Sequence, residues 1–359
     1  MNKNSLFGVV GELYDRSLED VIIVGCQHFL EGQYLLFSQL FSCGLLPENT
    51  YLIGKSYSFN NSVQRDLSAL GVSVYSYEFN SHLSFDDQFS KHILQFIQLV
   101  KNKANLKDKH VVVIDDGGAL LSVASNYFCE NLSGVEQTSS GYSIIKNNVS
   151  FPIVNVARSK TKLIMETPHI VDCFLNKLNF YLDKYGLVPQ RALILGGGPI
   201  GVEVQKQLNF ETCIFDTDLQ KRTINQNDLH EFLCNFDLIV GASGNMSLRM
   251  NDYSYLREGT VLASISSSDR EFDSVKFRVK FPKTSNPHQD YHIGGIYLLN
   301  SGFPLTFDGS RVAVPTENII LTQSLMFAGV YESLNHKTCG LYDLSSVVQR
   351  NLVEVYQEN

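Results

Sequence analysis

Ala192-Leu193-Ile194-Leu195-Gly196-Gly197-Gly198-Pro199-Ile200-Gly201 is an apolar run that breaks into a glycine-rich turn. A second apolar run, Cys213-Ile214-Phe215, ends at Asp216, twenty residues after Gly196. Strand, turn, helix, second strand and acid follow in order, and each part has a physical task. Gly196 permits the sharp exit from the strand, and Gly198 leaves out the Cβ that would block a diphosphate. Gly201 lets the following helix lie close to the sheet. The N–H groups opening that helix, with Pro199 and Ile200 in its first turn, face the phosphates. Asp216 stands where a carboxylate accepts both ribose hydroxyls and repels a 2′-phosphate. The pattern therefore predicts NAD rather than NADP.

Working outward, the same alternation recurs on both sides. Before the turn come Val21–Val24, a helical stretch 31–43, Tyr51–Gly54, Val72–Tyr75, an amphipathic helix 85–101, and Val111–Ile114 ending at Asp115-Asp116-Gly117-Gly118. After it come Leu238–Val240, Val261–Ile265, an irregular stretch 270–312 and an amphipathic helix 318–334. Strands apolar on both faces and separated by helices predict parallel sheets covered on both sides. The fold class expected is α/β with two doubly wound domains, the second a Rossmann NAD-binding domain. Expected boundaries are 1–165 plus 315–345 for a substrate-type domain, 172–312 for the NAD domain and 346–359 for a tail. Thr167-Pro168 reads as the cap and first turn of a connecting helix over 171–185.

The chain has 359 residues, 44% hydrophobic and 18% charged, with a formal net charge of −8 and a pI near 5.6. That is the composition of a folded protein, and its acidity argues against a nucleic-acid partner. No run approaches the ~20 apolar residues of a membrane span. The seven cysteines (26, 43, 129, 173, 213, 234 and 339) show no CxxC pair and read as reduced thiols of a cytoplasmic protein. His288 and His292 lie four apart in a loop-like stretch with a single carboxylate, Asp290, between them, too few residues for a recognisable ligand set, so no metal site is expected.

Six segments together resemble the S-adenosylhomocysteine hydrolase family. They are Val24-Gly25-Cys26-Gln27-His28, Asp115-Asp116-Gly117-Gly118, Gly134–Gly141 (Gly-Val-Glu-Gln-Thr-Ser-Ser-Gly), Pro152–Val156, Ser159-x-Thr161-Lys162 and the fingerprint at 196–201. They recur in family order over nearly the whole chain. The resemblance implies a substrate domain, an NAD domain and a late helix returning to the first. It implies oxidation of a ribose 3′-hydroxyl by tightly held NAD, elimination of homocysteine, addition of water and reduction of the ketone. It also implies catalytic roles for His28, Asp116, Lys162 and Glu166, the last standing where the family has aspartate. Thr138, Ser139 and Ser140 match three threonines that bond NAD, and Ser243, Gly244 and Asn245 match a second loop beside the cofactor.

The chain also departs from the family. Gln137 replaces a glutamate, Thr167 an asparagine and Val171 a cysteine, all on the substrate side, and His169 stands near that altered pocket. Ser264–Ser267 and Ala313-Val314-Pro315 each lack a family histidine, and the family's terminal lysine- and tyrosine-bearing tail has no counterpart. These changes leave three readings. The first is an NAD-dependent enzyme acting on a secondary hydroxyl of a nucleoside-like or other small metabolite, through a transient ketone that permits elimination, hydration or epimerisation. The second is a non-catalytic NAD- or nucleoside-binding relative acting through partners. The third is adenosylhomocysteine hydrolysis by a rewired pocket. The missing tail favours a dimer over the family's tetramer.

Read without the family, Lys162 and Glu166 are a helical i,i+4 pair, which is usually a surface ion pair worth little. His28 and Asp116 follow the carboxyl ends of predicted strands, the edge where such sheets bind ligands.

Overall fold

The computed structural model describes residues 3–14, 16–128, 131–224 and 228–358, with side chains described from residue 6 onward. Cys129 lies outside the described residues; the other six cysteines form no disulfide. The chain divides into two compact units. The first comprises Met1–Tyr77, Phe89–Glu166 and Ser310–Asn359, and the second Glu78–Gln88 and Thr167–Gly309. Among the described residues no helix is long and apolar enough to cross a membrane.

The first unit holds a seven-stranded sheet built from β1 (Val21–Phe29), β2 (Thr50–Phe59), β3 (Ser73–Tyr75), β4 (His110–Asp115), β5 (Leu132–Glu136), β6 (Pro152–Asn155) and β13 (Gly340–Asp343). Their order is β13-β6-β5-β4-β1-β2-β3, and every pairing is parallel. All nine residues of β1 are buried, as a central strand covered on both faces requires. Chain order reverses beside β1, which leaves a crevice at the carboxyl ends of β1 and β4.

The second unit contains β7 (Arg191–Leu195), β8 (Glu211–Phe215), β9 (Leu238–Gly241), β10 (Val261–Ser264), β11 (Tyr291–Ile293) and β12 (Ile296–Leu298). Their order is β11-β12-β10-β9-β7-β8. Among the described residues only the β11–β12 hairpin is antiparallel, and it lies in the irregular stretch 270–312. Chain order reverses beside β7, so a second crevice opens at the ends of β7 and β9.

Four expectations are corrected. The helix expected from residue 171 is Lys160–Tyr185, with Pro168 inside it. Ser159 supplies the start: its Oγ accepts the Lys162 N–H at 3.4 Å and its carbonyl accepts the Leu163 N–H at 3.1 Å. Pro168 only removes one donor from a helix already begun. The helix Thr316–Asn335 is buried almost all round rather than amphipathic, even at Gln323, Ser324 and Ser333. The expected tail forms the helix Ser346–Glu358, whose Val348 and Leu352 join the first unit's core with Phe327 and Val330. Each such fully buried side chain contributes roughly 1.5–3 kcal/mol.

The fourth correction is the strap Glu78–Gln88, which the sequence placed in the first domain. It belongs to the second unit because Arg278 is wholly buried there. That guanidinium donates to the carbonyls of Ser81 at 2.8 Å and Leu83 at 2.9 Å, and pairs with Asp269 at 2.7 Å. Asp269 also accepts the Phe85 N–H at 3.2 Å.

Candidate functional site

In the second unit the glycine turn has the geometry its sequence implied. Gly196 has φ +117°, and a Cβ there would sit 2.7 Å from the backbone of Ala242 and Ser243, so the loops after β7 and β9 touch only because it is glycine. A Cβ on Gly201 would strike the Gly196 carbonyl oxygen, which is why the helix Pro199–Gln207 lies so close to the turn. Gly198, the N-cap of that helix, has nothing within 4 Å of where a Cβ would be. Open space therefore lies where a diphosphate would approach, at the positive end of the helix dipole. Pro199 occupies the first turn, and Ile200 packs on the unit's apolar core. Asp216 accepts the Gly197 N–H at 2.7 Å and the Asp218 N–H at 2.8 Å. These residues fit a dinucleotide.

The loop Ser243-Gly244-Asn245 is organised by Glu271, a buried acid the sequence reading missed. One Glu271 oxygen accepts the Ser243 and Gly244 N–H groups at 2.7 Å each and the Ser266 hydroxyl at 2.6 Å. The other accepts the hydroxyls of Ser243 at 3.0 Å and Ser247 at 2.7 Å. Burial raises this carboxyl's pKa against the pull of its donors. Asn245 instead closes on its own loop, donating through Nδ2 to the Ser243 carbonyl at 3.1 Å.

In the first unit the four residues expected to be catalytic form two pairs, His28 with Asp116 and Lys162 with Glu166. His28, near the end of β1, places Nε2 3.2 Å from Asp116, which directly follows β4. Its Nδ1 lies 2.5 Å from the Ser58 hydroxyl. Lys55 of β2, 4% exposed, bonds the other oxygen of Asp116. Burial disfavours the Lys55 cation, yet Asp116 beside it wins and holds its pKa above the ordinary lysine range. Burial likewise opposes the Asp116 anion, but Lys55 and His28 keep it well below the usual carboxylate range. Burial lowers His28, partly countered by Asp116. A neutral imidazole then donates from Nε2 to Asp116 and accepts at Nδ1 from Ser58, an assignment made from its partners. Both ring nitrogens are engaged, so His28 is firmly oriented.

Lys162 and Glu166 share one helix face and pair at 2.5 Å, with only 13% and 11% of their side chains exposed. Glu166 also accepts the Thr322 hydroxyl at 3.0 Å. Its charge reaches His28. This is a half-enclosed ion pair, not the exposed surface pair that spacing alone suggests.

The remaining expected residues divide. Gln137 is buried with its side-chain oxygen unpaired. The Thr138 hydroxyl donates to Glu136 at 2.7 Å and accepts the Gly141 N–H at 3.0 Å. Its one hydroxyl proton is thus directed to Glu136. Ser139 is exposed and Ser140 half-buried at the start of the next helix. Thr167 and His169 are half-buried on the long helix. Val171 is wholly buried among Phe174, Ile194 and Val240, a core position rather than a pocket wall.

Two proteins of Mycobacterium tuberculosis share this sequence along most of its length. "Uncharacterized protein Rv0104" (strain ATCC 25618 / H37Rv) and "Uncharacterized protein MT0113" (strain CDC 1551 / Oshkosh) are each 34% identical over 360 residues, spanning 93% of this chain and 70% of theirs. The chain belongs to their family. No family model matches it. Among solved structures, dipicolinate synthase, A chain, from Bacillus subtilis aligns over 96% of this chain and 99% of its own, at 11% identity and a TM-score of 0.41. Likeness at that level assigns no function.

Proposed function

We propose that the second unit binds NAD and that the protein is an oxidoreductase acting on a secondary hydroxyl of a small, nucleoside-like metabolite. The reading rests on one observation above all: open space over Gly198 at the start of a helix whose turn is tied to Asp216. Gly196, Gly197, Gly198 and the helix N-terminus would hold the diphosphate, and Asp216 the adenosine ribose. When bound, the cofactor supplies a hydride acceptor. Ser243, Gly244 and Asn245 would line its far end, shaped by Glu271.

The candidate acid–base groups all lie within the first unit. Lys162, as the neutral amine, would take the proton from the substrate hydroxyl and become an ammonium paired with Glu166, whose carboxylate the Thr322 hydroxyl orients. Asp116, fixed by Lys55 and His28, offers a permanently ionised acceptor for a second hydroxyl. Gln137, whose buried oxygen lacks a partner, is a further contact for a polyhydroxylated ligand. The roles of His28, Asp116, Lys162, Glu166 and Gln137 follow the resemblance to S-adenosylhomocysteine hydrolase, with Glu166 and Gln137 changed, while Lys55 and Thr322 are added from their contacts. A ketone formed at such a carbinol acidifies the neighbouring C–H and permits elimination, hydration or epimerisation.

Incubating NAD-loaded protein with a panel of nucleosides and hydroxylated metabolites tests this directly. Substrate-dependent nicotinamide absorbance supports it, and its loss in Lys162→Ala assigns the base. Tight NAD binding with no reduction by any compound favours a binding protein that acts through partners. The engagement of both His28 nitrogens and of the Thr138 hydroxyl is what keeps that second reading in play.

A further inference from the structure

We propose that Glu136 is held as a neutral carboxylic acid donating to Asp115, and that this proton fastens the two crevice loops carrying Gly117 and Thr138. Glu136 is thereby a positioning residue for the first unit's site. The inference does not depend on the cofactor reading.

Asp115 ends β4 and Glu136 ends β5, and the two are register partners in a parallel pair, so their side chains share one face of adjacent strands. Both are wholly buried. One oxygen of each is fully served by donors. Glu136 Oε1 accepts the N–H of Gly117 at 3.2 Å, the N–H of Thr138 at 2.7 Å and its hydroxyl at 2.7 Å. Asp115 Oδ2 accepts the Leu120 and Leu121 N–H groups at 2.8 and 2.9 Å. The other oxygens, Glu136 Oε2 and Asp115 Oδ1, are buried with no N–H or O–H donor, and Asp115 has only the weak thiol donor of Cys26 beside it.

Two orphaned acceptors on adjacent strands leave an obvious chemical solution. Three donors on Oε1 mark it as the carbonyl-like oxygen, so the hydroxyl is Oε2, and its natural acceptor is Asp115 Oδ1. One proton satisfies both groups, whereas two ionised carboxylates buried together would repel with no solvent to screen them. Burial raises the Glu136 pKa well above the usual range, with Asp115 adding to it. Burial also lifts Asp115, to about 6, against the Leu121 N–H and Lys55. The charged and titratable groups facing the pair are Cys26 from β1, Lys55 from β2 and Asp116 beyond β4. Gly141 is glycine because a Cβ there would strike the Glu136 carboxyl.

The arrangement has a consequence for the site. Glu136 joins the loop after β4, which carries Asp116, to the loop after β5, which carries Gln137. Ionising it puts a second negative charge beside Asp115 and removes the bond that closes the pair.

Infrared spectroscopy of protein carrying 13C-labelled glutamate reads the protonation directly. At about pH 7, above the ordinary carboxyl range, the parent is expected to show the carbonyl stretch of a protonated carboxyl, absent from Glu136→Gln. Thermal unfolding is the second readout. Glu136→Gln replaces the O–H by an N–H donor, and is expected to melt at or above the parent at about pH 8 with a flatter slope down to about pH 5. Glu136→Ala is expected to melt lower throughout. A parent lacking the protonated band overturns the proposal whatever the variants do. So does a Gln variant that melts as low as the Ala variant with the parent's pH slope.

Discussion

The Gly197 N–H donates to the Asp216 carboxylate at 2.7 Å, so the acid at the end of β8 is fixed at the mouth of the glycine turn after β7. The second oxygen takes the Asp218 N–H, and a carboxylate with about four lone-pair sites still has capacity for ligand hydroxyls.

Replacing Asp216 by alanine is therefore expected to weaken NAD binding by about tenfold to a hundredfold, the worth of hydrogen bonds to a charged acceptor. NADP, which the carboxylate repels, should lose little or gain. Titration calorimetry with both nucleotides checks this; equal losses for the two would contradict the assigned role.

The three glycines should fail in different ways. Gly201→Ala drives a Cβ into the Gly196 carbonyl, so it lowers the melting temperature. Gly196→Ala adds a strained φ and a backbone clash, with the same result. A Cβ at Gly198 has no protein atom within 4 Å, so Gly198→Val should leave the melting temperature within a few degrees while abolishing nucleotide binding. Circular dichroism melts beside the titrations separate the two classes.

Asp116→Ala strands the Lys55 ammonium, which is 4% exposed, without its partner. Breaking a buried pair in this way costs about 3–5 kcal/mol. Lys55→Met combined with Asp116→Ala should recover part of that loss, because the double change leaves no uncompensated lysine charge. Urea unfolding of the single and double variants gives the coupling, and strict additivity would contradict the pairing.

How much of this was legible in advance depended on whether a feature is local. The fingerprint from Gly196 to Asp216 is local, and so are the buried runs of β1 and β4 that deliver His28 and Asp116. Lys55 was missed because Gly54 reads as the end of a strand, whereas β2 runs on to Phe59. Glu271 was missed because its five donors come from loops brought together only by the second sheet. Thr167-Pro168 misled because proline usually opens a helix, while the actual cap at Ser159 carries no comparable signal. The Asp115–Glu136 pairing required the register of two strands, which the alternation of apolar residues does not specify when both faces are buried.

His110, paired to the Ser133 hydroxyl at 3.0 Å, is lowered to about 4, chiefly by burial. Unfolded histidine takes up its proton near 6.5, so the unfolded chain binds more protons between those values and stability falls as pH drops from about 6.5 to about 4. His110→Gln should flatten that limb of the melting-temperature profile by a few degrees. Asp115 works in the opposite sense, losing stability as pH rises from about 4 to about 6. An unchanged acid limb in His110→Gln would contradict the assignment.

Calorimetric titration of the purified full chain with NAD tests the central claim most directly. The account predicts saturable binding of one nucleotide per chain, lost in Gly198→Val while the fold is retained. Absence of binding in the parent, or undiminished binding in a folded Gly198→Val variant, would contradict it.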